Sequence, residues 1–152
     1  ALEAAAQTDV PVCLMHMQGQ PRTMQQNPTY DDVVKDVSAF LEHRVQACMD
    51  AGIDESRILL DPGYGFGKTL EHNYALVKYL PNIMDLGYPV LVGMSRKSMI
   101  GNLLNRNVDE RLAGSISLAT IVAQMGAQII RVHDVQETAD AVNIVKMLNT
   151  IK

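Results

Sequence analysis

Four short segments of this chain combine residue types able to bind and polarise a small anionic substrate: Met15-His16, Asp61-Pro62-Gly63, Ser95-Arg96-Lys97 and Arg131-Val132-His133. Each closely follows an apolar run, so each reads as the polar end of a buried strand. A carboxylate such as Asp61, at the rim of a dry interior, needs donors, and an amino group beside a ring N–H on a heterocycle supplies two. The loop from Asp61 to Lys68 carries Gly63, Gly65 and Gly67, which would let the backbone approach a ligand, and Phe66 offers a flat apolar wall. It lacks the G-x-x-x-x-G-K-[ST] spacing of a phosphate loop. At the 93–98 segment, Ser95 and backbone N–H groups entering a helix favour an anion. Arg96 and Lys97 are adjacent and should diverge, one toward a ligand and the other toward a helix or solvent. Arg131 and His133 alternate along a strand end and so project to one face, which suits a phosphate or pyrophosphate. Lys68, Lys97, Arg131 and His133 would then stand against Asp61. Met15 reads as a wall and His16 as a hydrogen-bonded structural residue. His43 and His72 lie on helical faces and carry no functional signal.

The elements that must position these residues alternate along the chain. Apolar runs at 10–15, 58–60, 89–93 and 128–132 read as strands. Between them lie helical patterns at 33–51, 70–86 (interrupted near Pro81), 98–104 and 109–125, and a last one at 136–148. Asp31 or Asp32 can cap the first of these helices, and Gly126 stops the fourth. The stretch 16–30, with Gly19, Pro21 and Pro28, reads as loop. Unbroken apolar strands separated by amphipathic helices imply an α/β fold, a parallel sheet covered by helices. The right-handed crossover rule then puts every strand end on the same side. Residues distant in sequence converge because each follows a parallel strand.

Composition narrows the function classes. At 152 residues and 47% hydrophobic, the chain can bury the core of one domain, or part of one. A net charge of -4 argues against general nucleic-acid or acidic-membrane binding, which needs a basic face. Cations gathered into one cleft of an acidic protein instead suggest an anionic substrate or leaving group. Cys13 and Cys48 have no metal-like spacing and read as reduced core thiols of a cytosolic protein. No apolar stretch is long enough to cross a membrane as a helix. The opening ALEAAAQTD is already helical in pattern and has no initiator Met, as if the chain starts partway through a helix of something longer. No Ser, Cys or His has a base and an orienter near it in sequence, so covalent catalysis has no support. No metal-ligand set appears in this segment.

V-C-L-M-H-M-Q-G at 12–19, L-L-D-P-G-Y-G-F-G-K at 59–68, G-M-S-R-K-S at 93–98 and R-V-H-D at 131–134 resemble the dihydropteroate synthases of bacterial folate biosynthesis, in order along the whole chain. The resemblance implies a (β/α)8 TIM barrel with its site at the C-terminal strand ends. Residues 1–152 would be the C-terminal part of a single pterin-binding barrel domain, about its last four β/α units. The implied enzyme is a cytoplasmic, homodimeric transferase and a sulfonamide target. It condenses 6-hydroxymethyl-7,8-dihydropterin diphosphate with para-aminobenzoate, giving 7,8-dihydropteroate and pyrophosphate. By this resemblance Asp61 and Lys97 carry the chemistry and grip the pterin, with Met15, Phe66, Leu91 and Gly93 lining its slot. Ser95, helped by Phe66 and Lys97, holds the para-aminobenzoate carboxylate, and Arg131 and His133 bind the departing diphosphate. Magnesium is implied as a cofactor, with ligands outside this segment. Tyr64 stands where the family pattern has Phe, which touches ring packing only.

Other readings stand beside this one. A pterin-dependent methyltransferase domain would share the barrel but need no anion site at Arg131 and His133. A non-catalytic half barrel would bind partners through its helices. A compact flavodoxin-like domain of four strands would fit the length. On the resemblance, the segment alone should be inactive, and poorly stable because strand edges and an apolar inner face stay open.

Overall fold

The computed structural model describes residues 2–19, 24 and 27–151. After a short helix α1 (Leu2–Ala6) come strand β1 (Val12–Met15), helix α2 (Val33–Asp50) and strand β2 (Ile58–Asp61). Helices α3 (Leu70–Lys78) and α4 (Leu80–Met84) follow, then strand β3 (Leu91–Val92) and helices α5 (Ser98–Leu104) and α6 (Leu112–Met125). Strand β4 (Ile129–Ile130) and helix α7 (Val135–Thr150) complete the order. Among the described residues, no helix is long and apolar enough to cross a membrane.

Local chemistry sets these boundaries. The Asp32 side chain accepts from the N–H groups of Val34 and Lys35, fixing the start of α2. Thr69 and His72 form a reciprocal capping box at the head of α3. Pro81 falls in the first turn of α4, so the expected interruption near it is a true break between two helices. Gly126, at φ 99°, closes α6 in the left-handed conformation. The pattern at 109–125 proves to be two pieces. A 3-10 turn at Val108–Glu110, boxed by Asn107 and Glu110, precedes α6, because Arg111 is drawn aside to donate to the Arg106 and Arg96 carbonyls.

β1 pairs with β2 and β3 with β4, all parallel, and a parallel bridge from Leu60 to Val90 joins the two pairs. Spatial order therefore equals chain order. A doubly wound, flavodoxin-like sheet reverses its strand order at a switch point, and none occurs here. The helices pack in succession, α2 on α3 and α4, α4 and α5 on α6, α6 on α7, all on one face of the sheet. This is the winding of a (β/α)8 barrel, four consecutive units of it.

The register sorts the strand residues into two sets. Leu14, Ile58, Leu60, Val90 and Val92 point into the helix layer and are buried with Val37, Leu41, Leu76, Leu80, Ile83 and Val122. The alternate residues line the inner face. Met15 pairs with Asp61 and Leu91 with Ile129, and the Leu60–Val90 bridge sets Asp61 beside Leu91, so these four form one row. Met15 is 38% and Ile129 37% exposed, against 7% for Leu14, so the inner face is the open one. Cys48 lies in the core as expected, but Cys13 does not. It alternates with Leu14 onto the inner face and is exposed; both thiols are free.

Candidate active site at the strand ends

The next positions beyond that row are where the four polar segments meet. Gly93, Ser95, Lys97, Arg131, Val132 and His133 line a cleft of about 320 Å³, bringing the ends of β3 and β4 together. Gly93 is needed there for room. A Cβ on it would lie 3.1 Å from the Arg131 guanidinium, which rests across the glycine. Ser95 is buried, and its Oγ accepts from the His133 backbone N–H (3.2 Å) and lies 3.0 Å from His133 Nδ1. Arg131 and His133 thus share one face of one cleft, as their alternation predicts. A second groove of about 350 Å³ lies among β4, α6 and α7, but Lys146 is its one charged lining residue.

Arg96 and Lys97 diverge. The Arg96 guanidinium turns away to a two-pronged pair with Asp134, Nε donating to Oδ2 at 3.0 Å and Nη2 to Oδ1. That pairing holds the Asp134 carboxyl below the usual carboxylate range. The turn costs backbone strain, since Arg96 has φ 58°, in the region L residues avoid. Ser115 Oγ accepting from Arg96 N and Arg111 donating to Arg96 O hold it there. Lys97 turns inward. Its Nζ donates to the Tyr64 carbonyl at 2.6 Å and lies 4.6 Å from the centre of the Phe66 ring. Burial lowers its pKa, Asp61 pulls it back up, and Arg131 adds to the fall.

Asp61 is buried at the end of β2, and burial raises its carboxyl pKa above the ordinary value. The Gly63 N–H and the charges of Lys97, Arg131 and Lys68 act in the opposite sense. Oδ1 accepts from Gly63 N–H at 2.7 Å, the turn-capping bond that a tight βα turn would make. Among the described residues that is the one hydrogen bond to this carboxylate, which leaves its other oxygen for a ligand. Phe66 and Leu91 are half-buried beside it and Met15 is exposed in the same row.

Two expectations for the 61–68 loop are corrected. Gly63, Gly65 and Gly67 all have positive φ, but the close approach they permit is to protein. A Cβ on Gly63 would overlap the His16 carbonyl oxygen, and one on Gly67 the Gln18 carbonyl oxygen. The loop after β1 lies against this one, so Gly63 and Gly67 seat a neighbouring backbone, while a Cβ on Gly65 would meet the Lys97 side chain at 3.4 Å. Lys68 is not a ligand-facing cation either. It is buried, and its Nζ donates to Gly63 O (2.8 Å) and Phe66 O (3.1 Å) and contacts His16 Nδ1 (3.0 Å). Burial brings the Lys68 pKa down to about 7, Asp61 opposing and Lys97 assisting. Burial and the Lys68 charge bring His16 down to about 4, so His16 is a neutral structural acceptor, as its sequence context suggests.

Several positioning residues were not singled out from sequence. Asn73 is buried and accepts from Gly65 N–H at 2.7 Å while donating to Thr69 O at 2.7 Å. The Tyr30 hydroxyl donates to Gly67 O at 2.6 Å, and the Gln18 amide brackets Thr29. Asp134 and Ser115 fix Arg96. A buried Asn at the head of a helix after a glycine loop was the one signal available in advance. Among the described residues, no group of three or more His, Cys, Asp or Glu could hold a metal ion. The magnesium implied by the resemblance therefore finds no fitting ligand set here.

Comparison with known proteins bears on this geometry. A family model described as pterin binding enzyme matches residues 1–133. The dihydropteroate synthase of Escherichia coli strain K12 is 56% identical over 146 residues, covering 96% of this chain and 52% of that protein. The Yersinia pestis dihydropteroate synthase in a sulfonamide drug complex superposes with TM-score 0.96 at 53% identity, over 99% of this chain and 55% of that one. The Xanthomonas albilineans dihydropteroate synthase with 4-aminobenzoic acid gives TM-score 0.92 at 45% identity, over 99% and 54%. The chain spans about half the length of the curated relatives it matches. The chain belongs to the pterin-binding enzyme family.

Proposed function

We propose that residues 1–152 act as the C-terminal part of a dihydropteroate synthase barrel, a transferase joining para-aminobenzoate to 6-hydroxymethyl-7,8-dihydropterin diphosphate. The observation that carries this is one cleft lined by Ser95, Lys97, Arg131 and His133, with the Lys97 and Arg131 charges acting on Asp61 at the end of β2. In this reading the free carboxylate oxygen of Asp61 accepts from the pterin amino and ring N–H groups. Lys97 reaches the pterin carbonyl and ring nitrogen from the rim of the Phe66 ring, and Met15, Leu91 and Gly93 complete the slot. Ser95 meets the aminobenzoate carboxylate.

The chemistry needs no nucleophile from the protein. The bond from the pterin methylene carbon to the diphosphate oxygen breaks, and the arylamine nitrogen bonds to that carbon and loses a proton. Negative charge grows on the leaving oxygens, where Arg131 and His133 stabilise it. The Asp61 carboxylate at the edge of the ring favours the positive charge that develops on the pterin. The amine needs positioning, which the cleft walls supply.

The reading extends to a cytoplasmic homodimer formed through helices of this half, and to sulfonamides as competitors of para-aminobenzoate. The sulfonamide and 4-aminobenzoic acid complexes of the Yersinia and Xanthomonas relatives support the second of these. Any magnesium would take its ligands from outside this chain, and no step here is routed through it. A methyltransferase reading leaves the Arg131–His133 face without a purpose.

A hybrid barrel tests the proposal: the complementary half of the E. coli relative followed by this chain. It should release pyrophosphate and form dihydropteroate, while the chain alone forms none. A folded hybrid that binds pterin but not inorganic pyrophosphate would overturn the assignment in favour of methyl transfer.

A further inference from the structure

The contact between Ser95 and His133 contains more than proximity. The His133 backbone N–H can only donate, so at 3.2 Å it occupies one lone pair of Ser95 Oγ. The second contact, Nδ1 to Oγ at 3.0 Å, runs in one of two directions. If Nδ1 carried the proton, Ser95 Oγ would accept twice, and its own hydroxyl proton would need an acceptor. Among the described residues none lies within reach, and Ser95 is only 6% exposed. A donor so nearly buried and left without a protein partner is disfavoured, which favours the tautomer in which Ser95 donates. Asp134, the nearest carboxylate along the chain, directs both oxygens at Arg96 and makes no hydrogen bond to His133 Nδ1.

We propose that Ser95 is a positioning residue for His133, its hydroxyl donating to Nδ1 so that the ring proton resides on Nε2. Nε2 has no protein partner among the described residues, and His133 is exposed and lines the cleft. The imidazole therefore offers a fixed N–H donor to an anionic oxygen. The Arg96–Asp134 pair, one residue further along each segment, zips the same two loops together and keeps the ring from swinging away. A hydroxyl has one proton to give. In this arrangement Ser95 donates to the aminobenzoate carboxylate only by releasing His133, so the imidazole is its partner until that carboxylate arrives. The role of the Nε2–H toward a leaving diphosphate rests on the function proposed above; the tautomer does not.

Nitrogen NMR of the full chain labelled with 15N-histidine separates the two. Neutral His133 should show a bare, hydrogen-bonded Nδ1 and a protonated Nε2, with no detectable Nδ1–H form. Ser95→Ala should move the signals to the mixed tautomer values of a free imidazole, and Ser95→Thr should restore them. Inorganic pyrophosphate should shift the Nε2 signal, with affinity falling about fivefold in Ser95→Ala and little in Ser95→Thr. An Nδ1–H or a free-imidazole mixture in the unmodified chain overturns the proposal without any variant having to fold. So does a Ser95→Ala spectrum identical to the parent's. If the tautomer is as stated but pyrophosphate shifts nothing, the leaving-group assignment fails and the positioning role survives.

Discussion

The β1–β2 end and the β3–β4 end of the sheet carry similar polar residues and use them in opposite ways. At the first, Lys68 ends on two carbonyls and His16, Gly63 and Gly67 sit under the carbonyls of the preceding loop, and Tyr30 and Asn73 tie down what remains. Among the described residues, no protein donor reaches the second carboxylate oxygen of Asp61. At the second, Arg96 is consumed by Asp134, but Lys97, Arg131 and His133 stay on the cleft. Residue type therefore does not decide between scaffold and site. The decision lies in whether partners for each polar group come from within the chain. A buried lysine with three acceptors is structure, and a half-buried one over an aromatic ring beside an arginine is a binding group.

The sharpest way to break the first end is Gly63→Ala. The added methyl meets a carbonyl at a position already at positive φ, so strain and overpacking add to about 4 kcal/mol in urea or thermal unfolding. Gly52→Ala is the control. Its φ is 86°, but nothing lies within 4 Å of the new methyl, so about 1 kcal/mol is expected. If the two variants cost the same, the close seating of the loops is not what the glycines serve.

Exchanging the lysines tests the contrast directly. Lys68→Met strips donors from the Gly63 and Phe66 carbonyls and from His16, and should cost about 3 kcal/mol of stability. Lys97→Met should cost under about 1 kcal/mol, because only the Tyr64 carbonyl loses a partner, yet weaken pterin or pyrophosphate binding at least about tenfold. A Lys68→Met protein as stable as the parent would place that lysine in the site after all.

Asp61→Asn separates stability from function within one residue. The carboxylate is held above its ordinary pKa by burial, so a neutral isostere that keeps the Gly63 N–H bond should leave unfolding within about 0.5 kcal/mol of the parent, or raise it. In the hybrid barrel kcat/KM should fall about a hundredfold, since the amide cannot accept two donors as a carboxylate does. Equal loss of both properties would make Asp61 a scaffold residue like Lys68.

Much of this was legible from residue order. Alternating apolar runs and helical patterns gave the sheet, its side with the strand ends, and the Arg131–His133 face, because those follow from period and handedness alone. The opposed directions of Arg96 and Lys97 were readable because adjacent side chains rarely share a target, though not that Arg96 would take Asp134. Two things were hidden for one reason. Gly63, Gly67 and Lys68 look ligand-directed in the 61–68 loop because partners that occupy them include residues 16–18, more than forty positions earlier. Close packing between loops of neighbouring strands leaves no periodic trace. Cys13 reads as a core thiol yet is exposed, because an apolar run does not say which of its two faces stays covered.

The smallest effect expected is a pH dependence, and it distinguishes the two ends by titration. Lys68 has its pKa lowered to about 7 in the folded chain, from an ordinary 10.5. Below about pH 7 it is charged in both states, and the cost of burying that charge is fully felt. Above it, the unfolded chain still binds a proton that the folded chain has released, so stability rises with pH. From about pH 9 the two thiols oppose the trend, because both are held above their ordinary value when folded. Between about pH 7 and 9 the unfolding free energy should therefore climb by about 1–2 kcal/mol, measured by urea titration at fixed ionic strength. Lys97 is lowered for the same reason and contributes in the same direction, so the test is comparative. Lys68→Met should remove most of the slope and Lys97→Met little of it. A slope that survives Lys68→Met and vanishes with Lys97→Met would mean that the β3–β4 end holds the buried charge.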